Sequence, residues 1–371
     1  MRILIAPNSM KGSLDALAFA EALASGLRRS GGPYELILCP VADGGDHTGP
    51  VLAKAMGLSA RFADVRGPFG QPVRAPYYLS GIDAVVELAD ASGMKLCSGK
   101  ELNPLEASTF GTGQLILEAI RNGARELILG IGGSATVDGG SGCLEALGFT
   151  FRDLQGNILP GCGRNLERIT TIEPPALAPF SGCRITVACD VDNPLCGENG
   201  AARVYAPQKG AGPEETRLLE KGLLAWRRLL SEFTRGRWND HAMCGAAGGC
   251  AAGLEALAGA RLTGGAELVL KESGFNELLP VADLVITGEG RIDSQTGHLK
   301  APMAVAQKAL QAGKKVIAVA GTADNPPDLF NRILLFRDME NDVGRCMMNA
   351  PELAERAGFL LGQELKSWSG R

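Results

Sequence analysis

The sequence predicts an α/β protein built as two domains, and three observations carry that prediction. Short apolar, β-branched runs recur, each followed by a glycine-rich loop and then by apolar residues at helical spacing. This alternation holds at both ends of the chain and breaks in the middle, where strand signals crowd together. The chain has 371 residues, enough for about two cores, and 50 are glycine against 5% aromatics. Because those glycines lie between apolar runs, they read as tight strand-to-helix turns rather than a disordered tail.

Composition excludes several functions. The net charge is −4 with no basic cluster, so nucleic acid is not expected as a partner. No apolar run reaches the length of a membrane span, and Met1 leads into a strand-like segment without a signal peptide, so a cytoplasmic location is expected. The ten cysteines include no C-x-x-C pair, and His47, His241 and His298 are far apart. That spacing disfavours a zinc site or a disulfide framework and predicts reduced, buried thiols.

In chain order, Arg2 to Ala6 is a strand running into Pro7–Ser13. Ser13, with Asp15 beyond it, marks a helix start, and Ala16, Phe19, Ala20, Leu23 and Leu27 form its apolar face. Ser9 and Lys11 therefore sit in a loop near a helix N-terminus, which favours anions. Glu35 to Val41 is a second strand, followed by Asp43, Gly44, Gly45, Asp46 and His47 and a helix over 48–56. Past Pro68, Pro72 to Ser80 and Ala84 to Ala89 read as antiparallel strands, and a domain boundary falls near residue 64. A helix is expected over 112–122.

Glu126 to Ile131 is a strand feeding the richest glycine loop, with six glycines from Gly130 to Gly142 around Ser134, Thr136 and Asp138. Successive N–H groups at Gly132 and Gly133 could cradle an anion. The loop is neither a Walker A motif nor a dinucleotide fingerprint. Interleaved Ser, Thr and Asp favour phosphate binding over a purely structural turn. Arg184 to Cys189 is a strand ending in Asp190-Val191-Asp192-Asn193-Pro194, which puts both aspartates on one side of an extended chain. They form either a magnesium pair or an Asx turn before the proline. Lys209 supplies a loop cation.

Pro213 to Phe233 is a long helix with Leu219, Leu223, Trp226 and Leu230 as its stripe, and a small-residue helix follows from Gly245 to Leu257. Ala282 to Ile286 is a buried strand expected to break at glycines into a loop with Glu289, Arg291 and Asp293. Those carboxylates could hold a metal and the guanidinium could clamp a carboxylate or phosphate, unless the turn is merely solvated. Lys300 opens a helix to about Gln311, Lys315 to Ala320 and Ile333 to Phe336 are strands, and Pro351 to Leu365 is the last helix. Residues 1–64 and 282–371 are thus expected to form a Rossmann-like parallel-sheet domain, with 65–281 as an inserted mixed α/β domain. A cleft between them would gather the loops of Lys11, Asp43, Asp190 and Glu289.

Six ordered blocks carry a resemblance. They are Ser9-x-Lys11-x-Ser13, Val41-Ala42-Asp43-Gly44-Gly45, Ile131 to Thr136, Cys189 to Leu195, Pro207 to Ala211 and Thr287 to Gln295. Together they make the chain resemble the glycerate kinase type I family from about residue 2 to the last helix. The resemblance implies transfer of the ATP γ-phosphoryl group to D-glycerate with Mg²⁺, most often giving 2-phosphoglycerate. It joins the residue reading in assigning Lys11, Asp43, Asp190 and Arg291 to catalysis. Ser9, Gly44, Gly45, Gly132, Gly133, Ser134, Thr136, Asp138, Lys209 and Lys300 are assigned to substrate or nucleotide, and Asp190, Asp192, Glu289 and Asp293 to the metal. The chain departs from the family pattern at Asn8, Met10, Gly12, Asp46-His47, Val137 and Leu299. A Mg²⁺-dependent phosphatase, an isomerase of phosphorylated sugar acids and a non-catalytic hydroxy-acid-binding protein are the competing readings, and a homo-oligomer is compatible with all of them.

Overall fold

The computed structural model describes residues 1–45, 47–97, 102–293 and 300–368. Its strands are β1 (Arg2–Ile5), β2 (Glu35–Leu38), β3 (Ser59–Arg66), β4 (Pro72–Ser80), β5 (Asp83–Glu87), β6 (Glu126–Gly130) and β7 (Thr150–Arg152). Then follow β8 (Thr171–Glu173), β9 (Arg184–Cys189), β10 (Arg261–Gly264), β11 (Leu284–Asp293), β12 (Lys315–Asp324) and β13 (Arg332–Leu335). The chain divides into two compact units. One comprises Met1–Asp43, Pro50–Met56 and Ala266–Arg371, and the other Gly44–Gly49 and Gly57–Gly265. The edge strand β3, which an expected boundary near residue 64 would cut, lies whole in the second unit.

The first unit holds a parallel sheet in the order β13-β12-β11-β1-β2. From β1 the chain moves outward to β2, whereas from β11 it moves outward the other way, so the strand order reverses between β1 and β11. In open α/β sheets that reversal is where ligands bind, beyond the carboxyl ends of the strands. Ile3, Ile5, Leu284, Ile286, Ile317 and Val319 pack one face of the sheet against the helices Ala16–Arg29 and Ala350–Trp368. Those helices touch closely enough that a Cβ on Gly26 would lie 1.9 Å from Glu355 O. On the last helix Leu353, Ala357 and Leu361 are buried, while Leu360 is exposed.

Two expectations need correction here. The first helix is capped by Asp15, whose side chain accepts from Ala18 N at 2.8 Å, and not by Ser13, whose N–H closes a turn onto Met10 O. More consequentially, the chain does not leave the sheet after Ile286. β11 runs on to Asp293 against an equally long β12, pairing Glu289 with Ala320, Arg291 with Thr322 and Asp293 with Asp324. The glycines that resembled breakers fit the sheet: a Cβ on Gly288 would sit 2.0 Å from Val319 O. Ile292 packs with Ala318 and Ala320, the partner of Glu289, whereas Arg291 faces Asp293, Asp324 and a cavity shared with Met10 and Phe336.

The second unit holds a mixed sheet in the order β10-β9-β6-β5-β4-β3, parallel from β10 to β5 and antiparallel from β5 to β3. A small antiparallel pair, β7–β8, lies apart from it. The helix Pro213–Phe233 buries Leu219, Leu223, Trp226 and Leu230 as its periodicity predicts. Trp226 packs edge-on to Phe151 and donates its Nε1–H to Gly139 O at 3.0 Å. The helical element Ala246–Ala258 opens irregularly, because Ala247, Gly248 and Gly249 all have left-handed φ. Among the described residues, no helix is long and apolar enough to cross a membrane.

Candidate active site

In the first unit the groups gather where the strand order reverses. The Asn8 N–H donates to Gly288 O at 2.8 Å, which ties the end of β1 to β11. Asn8 Oδ1 accepts from Ser9 N at 2.8 Å, and Asn8 Nδ2 donates to Asp43 Oδ2 at 3.2 Å. Lys300, at the N-cap of the helix Ala301–Gln311, brings its Nζ within 3.6 Å of the same Asp43 oxygen. Glu289 Oε1 is buried and has no hydrogen-bond partner among the described residues. Burial, with Asp43 and Asp293 nearby and Lys300 opposing, pushes the Glu289 carboxyl up to about 7. A hard divalent cation takes carboxylate oxygens. An orphaned Glu289 oxygen beside Asp43 fits such an ion.

Next to this cluster is a cavity of about 270 Å³ lined by Met10, Lys11, Arg291, Thr322, Phe336 and Arg337 among others. Three cationic side chains line it together with the apolar Met10, Phe336, Val343 and Met347, which suits an anion with a carbon skeleton. Arg291 reaches Asp293 at 3.4 Å and Asp324 at 3.3 Å and stays more than half exposed. Lys11 and Arg291, expected from sequence, are thus together. Arg337 was not foreseen, although its place after an apolar run ending at Phe336 was a usable signal.

The second unit treats its expected site residues differently. Asp138 is fully buried and accepts from Thr109 N and Thr109 Oγ1, both at 2.7 Å, from Gly140 N at 3.0 Å and from Gly142 N at 3.3 Å. Burial pushes its carboxyl up and those donors pull it down. It holds the loop and presents no oxygen to a nucleotide. Lys209, expected as a loop cation, is 3% exposed and donates to Ser134 Oγ at 2.6 Å and Thr136 O at 2.7 Å. Burial lowers its ammonium to about 8.

The anion cradle needs a similar correction. The N–H groups of Gly132, Ala135, Gly139, Gly140, Ser141, Gly142 and Cys143 already donate to Gly44 O, Ser92 O, Gly248 O, Asp138, Asp138 O, Asp138 and Thr109 Oγ1. The loop satisfies most of its amides internally, which a local reading of glycines could not show. Gly44 is packed at the strand ends, where a Cβ would lie 3.0 Å from Ala188 O, and Gly45 O accepts from Thr48 Oγ1 at 2.8 Å. After β9, Asp190 is half-buried and Asp192 exposed. The turn there is held by Asn193, which donates to Asn199 O, and by Asp240, which accepts from Leu195 N and Cys196 N. Among the departures, Val137 is fully buried in the apolar core and Gly12 has a left-handed φ of 76°. Asp46 and Leu299, and Ser294 and Gln295 of the sixth block, lie outside the described residues.

The model of the glycerate kinase family matches residues 3–358. The chain belongs to the glycerate kinase family. It is 44% identical over 323 residues to a glycerate kinase of Halalkalibacterium halodurans, covering 86% of this chain and 85% of that one. It is 41% identical over 325 residues to the glycerate 2-kinase of Escherichia coli, covering 87% and 85%. Among solved structures it superposes on the protein assigned as glycerate kinase 2 in Salmonella typhimurium LT2, with a TM-score of 0.87, 38% identity and full coverage of both chains. The family makes the chain a kinase, and removes the competing phosphatase, isomerase and binding-protein readings from first place.

Proposed function

We propose that the chain transfers the ATP γ-phosphoryl group to D-glycerate, giving 2-phosphoglycerate, with Mg²⁺. The observation that supports this reading best is the pairing of a cation-lined cavity with a buried carboxylate cluster where the strand order reverses. Lys11, Arg291 and Arg337 bind the glycerate carboxylate, Arg291 and Arg337 offering two parallel N–H groups each. Asp43, held in place by Asn8 and Lys300, accepts a hydrogen bond from the hydroxyl to be phosphorylated and orients its oxygen toward the γ-phosphorus. As the new P–O bond forms, the bond to the ADP oxygen breaks and the hydroxyl proton passes to the Asp43 carboxylate and from there to solvent. A loose transition state needs little help from a base, so positioning and charge neutralisation do most of the work. Glu289, with Asp43 and Asp293, would hold Mg²⁺, which when bound neutralises phosphate charge. Asp190 and Asp192 are the second carboxylate pair suited to it. On this reading the loop of Ser134 supplies contacts to nucleotide through Gly133 and Ser134, with Lys209 fixing the Ser134 hydroxyl.

The experiment is a coupled assay of ADP formation with ATP, Mg²⁺ and D-glycerate, with the product identified by phosphorus NMR. ADP and 2-phosphoglycerate in equal amounts, abolished by excess EDTA, are expected. Full turnover in EDTA sinks the metal assignment, 3-phosphoglycerate sinks the product assignment, and binding without turnover sinks the reaction.

A further inference from the structure

Outside the carboxylate cluster and the cavity, the described residues bring His241, Cys244 and Glu255 together, with one ligand atom from each lying within 4.8 Å of the others. The sequence hides this group, because the histidines are isolated and Glu255 belongs to the helix Ala246–Ala258. His241 Nε2 lies 2.8 Å from Glu255 Oε2, and Cys244 Sγ lies 3.8 Å from the same oxygen. Tetrahedral zinc bonds of about 2.0–2.3 Å place their ligand atoms roughly 3–4 Å apart, so the spacing suits one small ion.

A second contact orients the ring. His241 Nδ1 is 2.7 Å from Ala242 O, which can only accept, so Nδ1 carries the proton. In a neutral ring Nε2 then turns its lone pair toward a carboxylate oxygen. A proton on Nε2 closes that contact as an ion pair, and a bound cation can take the place of that proton. Metal-bound histidines show the same arrangement, their other N–H donated to a backbone carbonyl. Trp238 Nε1 donates to the same Glu255 Oε2 at 2.7 Å and orients the carboxylate. Met243 holds a left-handed φ of 74° in the turn between His241 and Cys244. Cys244 is buried and His241 half-exposed, leaving a fourth position open to water.

We propose that His241, Cys244 and Glu255 form a binding site for a borderline-soft divalent cation of the Zn²⁺ type, separate from the kinase's own metal. On binding, the ion takes the Nε2 lone pair, a Glu255 oxygen and the Cys244 thiolate, and the thiol proton goes to solvent. The bound ion would staple residues 238–245 to the helix. Gly245 N donates to Asn193 O at 2.9 Å, so the staple also steadies the turn after Asp190.

The test uses Co²⁺ as a spectroscopic probe on the intact protein, read by absorbance and therefore independent of turnover. Wild type is expected to bind one equivalent with a thiolate-to-cobalt charge-transfer band and to release Co²⁺ to added Zn²⁺. Cys244→Ser should lose the band, and His241→Ala, a change at a half-exposed position, should weaken binding at least about tenfold with circular dichroism unchanged. No band in wild type overturns the proposal. So does a band that persists in Cys244→Ser, or an affinity unchanged in His241→Ala.

Discussion

The loop after β6 and the end of β11 both continue parallel strands, and each brings a carboxylate near an ammonium group. In the first, Asp138 accepts from three backbone N–H groups and a hydroxyl, and Lys209 donates to a side chain and a carbonyl. In the second, Glu289 Oε1 has no partner among the described residues, and its carboxyl rises to about 7. Buried charge is tolerated when the fold supplies its hydrogen bonds, as it does for Asp138. Where the fold withholds them, as at Glu289, the group is costly to the folded state and available to an ion or substrate. Closure of the hydrogen bonds, more than charge, separates a structural carboxylate such as Asp138 from an open one such as Glu289.

The comparison breaks first at Asp138. Asp138→Ala strands several buried donors and should cost about 3–5 kcal/mol of stability, seen as a lower urea midpoint or insoluble protein. An unchanged urea midpoint with activity abolished would make Asp138 a reacting group. Asp43→Asn tests the open side: kcat/KM should fall by about 10²–10³, roughly 2.7–4 kcal/mol, with Tm little changed. A large loss of Tm without that kinetic loss would move Asp43 to the closed class.

Glu289→Gln should separate stability from function. In the folded protein its carboxyl titrates near 7, above an ordinary value of 4.5. Between those values the folded state holds a proton that the unfolded state has lost, so stability falls as pH rises toward 7 and the full penalty applies above it. That penalty is on the order of 3 kcal/mol. The glutamine variant should therefore melt higher than wild type at pH 8, match it near pH 4, and turn over more slowly. A variant that melts lower at pH 8 would mean that Glu289 is satisfied after all. The smallest effect belongs to Asn8→Asp, which replaces a donor to Asp43 by a second carboxylate. Because an amide already serves there without being a useful base, kcat/KM should change by less than about tenfold, or roughly 1.4 kcal/mol. A dead wild type rescued by this change would show that Asn8 had cost the chain its reaction.

Much of the fold was legible locally. β9 and the helix Pro213–Phe233 match their sequence readings because their patterns are uninterrupted. β11 was cut short because Gly288 and Gly290 look like breakers, and only β12 alongside shows that the strand runs on through them and that close packing requires Gly288. The site was legible as residue types and only partly as roles. Lys11 and Arg291 do line one cavity. The closure of Asp138 depends on Thr109, and that of Lys209 on Ser134, both distant in sequence. The meeting of Glu255 with His241 and Cys244 is likewise set by a helix folding back, which spacing alone cannot reveal.

The position of β1 has a consequence for how the chain is made. Ile3 pairs with Leu284, so one side of β1 waits for a strand synthesised some tens of seconds later at typical rates of about 5–20 residues per second. The continuous segment Gly57–Gly265 emerges in that interval and can complete its own core first. Meanwhile the apolar face of Ala16–Arg29 lacks the helix Ala350–Trp368 that covers it in the finished protein. That face stays uncovered until the helix Ala350–Trp368 has been made and packs against it.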